Sequence, residues 1–215
     1  MPAYIRFPSS CDKTSPLPLL IALHGYGDNY QHFKSLFAQQ NEMIVVVPEA
    51  PYAFALGRKT GYSWTSQPKP LLSQLDESNK NDSFKMDSGN VRKIIEYMKT
   101  NYNITSVYLL GFSQGAVLAY ISGILNYDLV DGIAVFGGWL DEDIFTKTQL
   151  KLAKKLKVYI AHGNSDPVVD PKSADAAAAR LQDFDYKIKV DKFEGGHQVP
   201  IDVQKSALEW LKADE

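Results

Sequence analysis

Gly111-Phe112-Ser113-Gln114-Gly115 is a G-x-S-x-G pentapeptide that follows the apolar run Val107-Tyr108-Leu109-Leu110 and precedes the apolar stretch Ala116 to Ile121. A serine at a sharp strand-to-helix turn sits in a strained backbone conformation with its hydroxyl raised above the sheet, an arrangement known as a nucleophile elbow. Gly111 and Gly115 remove the β-carbons that would collide where strand and helix meet. A serine hydroxyl is a weak nucleophile at neutral pH, so attack on a carbonyl requires a base and a group that orients the base.

Chain order selects these partners. On an α/β sheet of this kind the serine is followed by Asp or Glu and then by His. Of the four histidines, His24, His32 and His162 precede any acid placed after the later strands, which leaves His197, directly after the last strand, as the eligible base. The acid candidates are Asp143, Asp166, Asp170, Asp183, Asp185 and Asp191. Asp166 is best placed, a few residues beyond the buried strand Val158-Tyr159-Ile160-Ala161. Asp170 suits a helix cap ahead of Pro171 and Asp191 lies within a strand, so Asp170 and Asp143 stand in reserve. The developing oxyanion needs fixed donors. One is the backbone NH of Gln114, and the second is expected from the turn His24-Gly25-Tyr26-Gly27-Asp28, at Tyr26 with Gly25 in reserve. His24 and His162 are read as loop scaffolds, because the order already assigns the base.

The elements that must position these groups alternate along the chain. Leu17 to Leu23, Met43 to Val47, Val107 to Leu110, Gly132 to Phe136 and Val158 to Ala161 are apolar runs suited to parallel strands buried on both faces. Ala3 to Phe7 and Tyr186 to Phe193 alternate as outer strands. Helices are expected over Asn29 to Gln40, from an Asp87 or Ser88 cap through Tyr97, after Ser113, from Asp170 through Leu181, and over Pro200 to Lys212. Pro51 to Pro70 reads as a long aromatic loop with a substrate-facing role that includes Trp64, and Gln67 to Asn90 as a polar segment flexible around Asp76 to Asp82. Trp139, after Gly137-Gly138, could wall a pocket or pack under a loop. Lys151 to Lys157 reads as a solvated helix face.

The 215 residues fit one domain, 1–215, able to bury roughly 70% of the surface its unfolded chain exposes. A net charge of -2 names no electrostatic partner and gives no expectation of nucleic-acid binding. The single Cys11 excludes an internal disulfide, which suits a reducing, cytoplasmic setting. No run has the length of a signal peptide or a membrane span, so no stable membrane insertion is expected. No metal or nucleotide motif is present and no cofactor is expected; oligomeric state is left open.

Together, His24-Gly25-Tyr26-Gly27-Asp28, Gly111-Phe112-Ser113-Gln114-Gly115, Gly137-Gly138-Trp139-Leu140, His162 to Val169 and Gly195-Gly196-His197 resemble the phospholipase/carboxylesterase family, which includes the acyl-protein thioesterases. The resemblance spans most of the chain. It implies an α/β-hydrolase fold with a mostly parallel central sheet, helices on both faces and a minimal lid. It also implies a cofactor-free serine hydrolase acting on small-molecule or lipid esters, including thioesters and lysophospholipids. Catalytic Ser113, Asp166 and His197, oxyanion donors Tyr26 and Gln114, and substrate contacts Trp64 and Trp139 are the residues it points to. The chain departs from the family's thioesterases at Trp64-Thr65-Ser66, which keeps the tryptophan of their W-[FY]-D turn but not its acid, and it lacks a C-terminal cysteine lipidation signal.

Overall fold

A computed structural model describes residues 2–9, 11, 14–66 and 77–213. A seven-stranded sheet is built from β1 (Ala3–Arg6), β2 (Leu17–Leu23), β3 (Ile44–Pro48), β6 (Ile104–Phe112), β7 (Gly132–Phe136), β8 (Lys157–Gly163) and β9 (Lys187–Phe193). Their order is β1-β3-β2-β6-β7-β8-β9, with every pairing parallel except that of β1 on β3. The chain moves outward from β2 to β3, then crosses to the far side of β2 for β6 and continues that way. The order thus reverses between β2 and β6, and open α/β sheets bind ligands in the crevice where such a reversal parts the following loops. The elbow follows β6 and the glycine turn follows β2, so both candidate oxyanion loops flank that crevice.

Apolar runs become central strands because both faces are covered. Leu19, Ile21 and Leu23 join a core with α2 (Glu77–Asn101), α3 (Gln114–Leu125), α4 (Lys147–Leu152) and α5 (Lys172–Gln182). The alternate residues Leu20 and Ala22 face Phe33, Phe37 and α6 (Ile201–Lys212) on the other side. Each wholly buried Leu or Ile contributes about 1.5–3 kcal/mol, which favours the two-layered cover over an open face. The segment expected as one helix from Asn29 is a single α turn, α1 (Tyr30–Phe33), tightening into a 3-10 turn over Lys34–Phe37; Asn29 caps it by accepting from His32 N at 3.0 Å. The helix expected from Asp170 begins beside it, with Asp170 Oδ1 accepting from Lys172 N at 2.9 Å.

Two expectations are corrected. Within the aromatic loop, Tyr52–Leu56 (β4) and Lys59–Ser63 (β5) pair as an antiparallel hairpin. Gly57, at φ 60°, opens the two-residue turn, which matches the first position of a type II′ turn. Residues 67–76 of that loop and of the following polar segment lie outside the described residues. Beyond them α2 already runs from Glu77, so Asp87 and Ser88 lie inside the helix rather than at its start. Its first turns carry no apolar period, which is why the start was hidden.

Asp87 is therefore a carboxyl on a buried helix face, wholly inaccessible to solvent. Burial raises its pKa to about 6, against the lowering effect of Asn90 Nδ2, which donates to Oδ1 at 3.0 Å. Among the described residues its Oδ2 has no hydrogen-bond partner. A carboxyl raised in the folded state loses its proton first in the unfolded chain, so stability falls as pH rises from about 4 to 6. Asp87→Asn is expected to gain about 1–2 kcal/mol at pH 7.5 and little at pH 4. Urea midpoints of both proteins at the two pH values check this; an equal gain at both would contradict it.

Candidate active site

Ser113 has φ 54° and ψ -118°, and it and Asp185 are the non-glycine residues with positive φ among those described. Such a backbone costs about 1–3 kcal/mol and persists only where the surroundings enforce it. Here Ser113 N donates to Phe136 O of β7 at 2.9 Å, while Ser113 O accepts from Ala116 N at 2.9 Å in the first turn of α3. The packing is as tight as the glycines require. A β-carbon on Gly111 would lie 2.2 Å from Gly115 O, and one on Gly115 would lie 2.1 Å from Leu23 O. Serine at a helix N-cap commonly spends its hydroxyl on the helix. Ser113 does not, which leaves Oγ available.

Asp166 and His197 come from the loops after β8 and β9. His197 Nδ1 lies 2.7 Å from Asp166 Oδ2. Asp166 Oδ1 accepts from the NH groups of Val168 at 2.8 Å and Val169 at 3.0 Å. Burial alone would raise the Asp166 carboxyl, but the Val169 NH, the His197 ring and the Val168 NH outweigh it and hold its pKa below the ordinary value. The aspartate is thus held as an anion beside the His197 ring. Gly137, at φ 56°, backs this pair: a β-carbon there would meet His197 Nδ1 at 3.0 Å and Asp166 Oδ2 at 3.3 Å. Its neighbour Gly138 lies against Ser113 O, and the Phe112 ring next to Ser113 packs on the His197 ring with centroids 4.7 Å apart. One glycine loop and one aromatic contact therefore bring Ser113 together with the Asp166–His197 pair. The other acids are engaged or remote. Asp191 accepts from Tyr159 OH, Asp170 caps α5, Asp143 sits in the turn Glu142–Ile144, and Asp183 and Asp185 follow the end of α5.

Tyr26 occupies the turn in which Asp28 N donates to Gly25 O at 3.2 Å, with Gly27 at φ 80°. The hairpin presses on this turn. Gly27 N donates to Tyr62 O at 2.8 Å, and the Tyr26 ring stacks on Phe54 at 4.8 Å. On the other side of the crevice Gln114 opens α3, where a backbone NH has no intrahelical acceptor. Its side chain does a separate job. Gln114 Oε1 accepts from Trp64 N at 3.0 Å, and Nε2 donates to Ser63 Oγ at 3.0 Å and Thr65 Oγ1 at 3.2 Å, tying the end of the hairpin to the elbow.

Trp64, expected to face substrate, is instead fully buried. Its indole NH donates to His24 O at 2.8 Å, so the polar edge of the ring is satisfied inside the protein. His24 is likewise buried, donating from Nδ1 to Gly25 O at 2.9 Å and accepting at Nε2 from Ala50 N at 3.1 Å, as a loop scaffold would. Trp139 is half-buried and walls a small cleft of about 100 Å³ with Leu140, Ser173 and Ala177. Sequence reasoning missed the Gln114 side-chain clamp and the approach of His162 Nε2 to within 3.2 Å of Asp166 Oδ2. The H-x-x-x-D spacing was the available signal for the second. Among the described residues no group of three or more His, Cys, Asp or Glu side chains is arranged to hold a metal, and no helix is long and apolar enough to cross a membrane.

A probable carboxylesterase, SOBER1-like, of Arabidopsis thaliana is 30% identical over 207 residues, covering 90% of this chain and 77% of that protein. The crystal structure of Zea mays acyl-protein thioesterase 2 shares the fold with a TM-score of 0.76 at 16% identity, covering 98% of this chain and 97% of that one. Arabidopsis thaliana SOBER1 gives a TM-score of 0.69 at 23% identity, covering 91% and 97%. The family model described as phospholipase/carboxylesterase matches residues 10–214. The chain belongs to the phospholipase/carboxylesterase family and is an α/β hydrolase.

Proposed function

We propose that the protein is a serine esterase that hydrolyses carboxylic esters, including thioesters and lysophospholipids, through an acyl-enzyme on Ser113. Ser113 Oγ attacks the carbonyl carbon as His197 Nε2 takes its proton, and Asp166 holds the ring through Nδ1 and stabilises the imidazolium. The carbonyl oxygen becomes an oxyanion, bound by the NH groups of Gln114 and Tyr26. The bond from carbon to the leaving oxygen or sulfur then breaks, and His197 returns the proton to the departing group. Water repeats the sequence and frees the acid and Ser113. The observation that carries this reading is the 2.7 Å bond between His197 and Asp166 beside a serine at positive φ whose hydroxyl is left uncommitted. Trp139 borders the substrate, while Trp64 acts from beneath, by holding the His24 carbonyl that precedes the oxyanion turn. Residues 1–215 work as one domain, in a cytoplasmic setting that suits the lone Cys11.

A fluorophosphonate probe followed by peptide mapping tests the proposal. Stoichiometric labelling at Ser113 is the expected result; an unlabelled Ser113 in folded protein would instead identify a non-catalytic binding module. Rates on matched ester, thioester, lactone and peptide substrates then separate leaving-group classes. Ester and thioester turnover exceeding that of peptide and lactone is expected, and the reverse order would reassign the protein as a peptidase or lactone hydrolase.

A further inference from the structure

Four consecutive residues at the end of the β4–β5 hairpin reach both loops that flank the crevice. Tyr62 O accepts from Gly27 N at 2.8 Å and the Trp64 indole NH donates to His24 O at 2.8 Å, so the glycine turn is held on either side of Tyr26. Ser63, the Trp64 backbone NH and Thr65 instead meet the side chain of Gln114 on the elbow. The orientation of that amide follows from its partners. Trp64 N, 3.0 Å away, can only donate, so the atom facing it is Oε1; Nε2 then donates to Ser63 Oγ at 3.0 Å and Thr65 Oγ1 at 3.2 Å. Ser63 Oγ also accepts from Thr65 N at 3.1 Å, which closes the cluster on itself. Ser63, Trp64, Thr65 and Gln114 are all buried. A buried polar network whose members are paired is rigid, and removing one member leaves the others unpaired. The strand also lies directly on the turn: a β-carbon on Gly61 would sit 3.0 Å from Gly27 Cα.

We infer that the Gln114 side chain is a positioning residue, which through Ser63, Trp64 and Thr65 fixes the elbow against the Tyr26 turn and so sets the spacing of the two oxyanion donors. The inference rests on the acyl-enzyme reading above. It separates two roles of one residue. The Gln114 backbone NH touches the oxyanion and survives any substitution, whereas the side-chain amide bonds to residues 63–65 of the hairpin. Beyond Leu23 and Gly111, the last paired residues of β2 and β6, the hairpin supplies a hydrogen-bonded route from one loop to the other. Donors fixed in advance stabilise a developing charge because they need no reorganisation as it appears, and a misplacement of about 1 Å costs about 10²-fold in rate. A Gln114 that merely packed the hairpin in place would affect the melting temperature and leave kcat of the folded enzyme where it is.

The test compares Gln114→Met, which keeps length without the amide, with Ser63→Ala combined with Thr65→Val, which removes the two hydroxyl acceptors from the hairpin side. In Gln114→Met, kcat for p-nitrophenyl acetate should fall by about 30- to 100-fold with KM changed by less than about twofold. A trifluoromethyl ketone, to whose carbonyl carbon Ser113 Oγ adds, gives a tetrahedral adduct whose oxygen takes the place of the oxyanion. Its affinity should fall by the same factor as kcat/KM, because adduct and transition state use the same donors. The Ser63→Ala, Thr65→Val protein should lose about tenfold in kcat, and adding both changes to Gln114→Met should cost little more, since all three cut one connection. These hairpin variants carry the test where Gln114→Met does not fold. An unchanged kcat in folded Gln114→Met or in the folded hairpin variant, or losses that multiply independently, would overturn the assignment. A wild-type Ser113 that escapes fluorophosphonate labelling sinks the acyl-enzyme reading itself, whereas a labelled Ser113 with an unmoved kcat in Gln114→Met sinks the role of the Gln114 side chain alone.

Discussion

Ser113→Ala should lower kcat/KM for p-nitrophenyl acetate by about 10⁴- to 10⁶-fold while leaving the protein folded. At 1.36 kcal/mol per factor of ten, this is a loss of about 5–8 kcal/mol of transition-state stabilisation. The size follows from the mechanism, because without Oγ no covalent intermediate forms and His197 has no proton to take. Only the oxyanion donors and substrate binding remain, and water must attack directly. The fold should survive because Ser113 Oγ makes no capping bond to α3, and alanine meets the same β-carbon strain at φ 54° that serine already bears. Circular dichroism and thermal melting would establish that the variant is native. Activity persisting in native Ser113→Ala would move the nucleophile elsewhere.

Much of this site could be read from the chain because its constraints are local. A G-x-S-x-G between two apolar runs states its own geometry, and the order of Asp166 and His197 follows from the fold that those runs imply. The central strands were equally legible, since Leu19 to Leu23 and Gly132 to Phe136 are buried on both faces and read as unbroken apolar stretches. What stayed hidden depends on tertiary contact. The hairpin was masked because its aromatics lie among prolines and glycines, although Tyr52, Phe54 and Leu56 alternate ahead of Gly57 in the manner of a strand and its turn. The neighbourhood of Trp64 has the composition of a long loop, whereas the burial of its ring depends on the carbonyl of His24, 40 positions away. The early start of α2 had no apolar period to announce it.

Gly115→Ala should be the most damaging addition of a single methyl group near the site. Its β-carbon would lie 2.1 Å from Leu23 O and 2.6 Å from His24 O, and both of these atoms are backbone. No rotamer change relieves a clash with the end of a central strand, so α3 or the chain after β2 must move. Overpacking of a close-packed interior typically costs 1–3 kcal/mol, and a collision this deep should reach about 3 kcal/mol or more. For a domain of this size that corresponds to a fall in Tm of roughly 6–12 °C. The displaced segment leads directly into Gly25 and Tyr26, so the surviving folded protein should also lose oxyanion stabilisation, with kcat about 10²-fold lower. Gly89→Ala is the matching control. Gly89 sits inside α2, where a β-carbon meets nothing within 4 Å, and alanine there should stabilise the helix by about 0.5–1 kcal/mol with activity unchanged. If the two substitutions instead gave similar melting temperatures and similar rates, the close approach of α3 to the end of β2, and the coupling of the elbow to the oxyanion turn, would both be wrong.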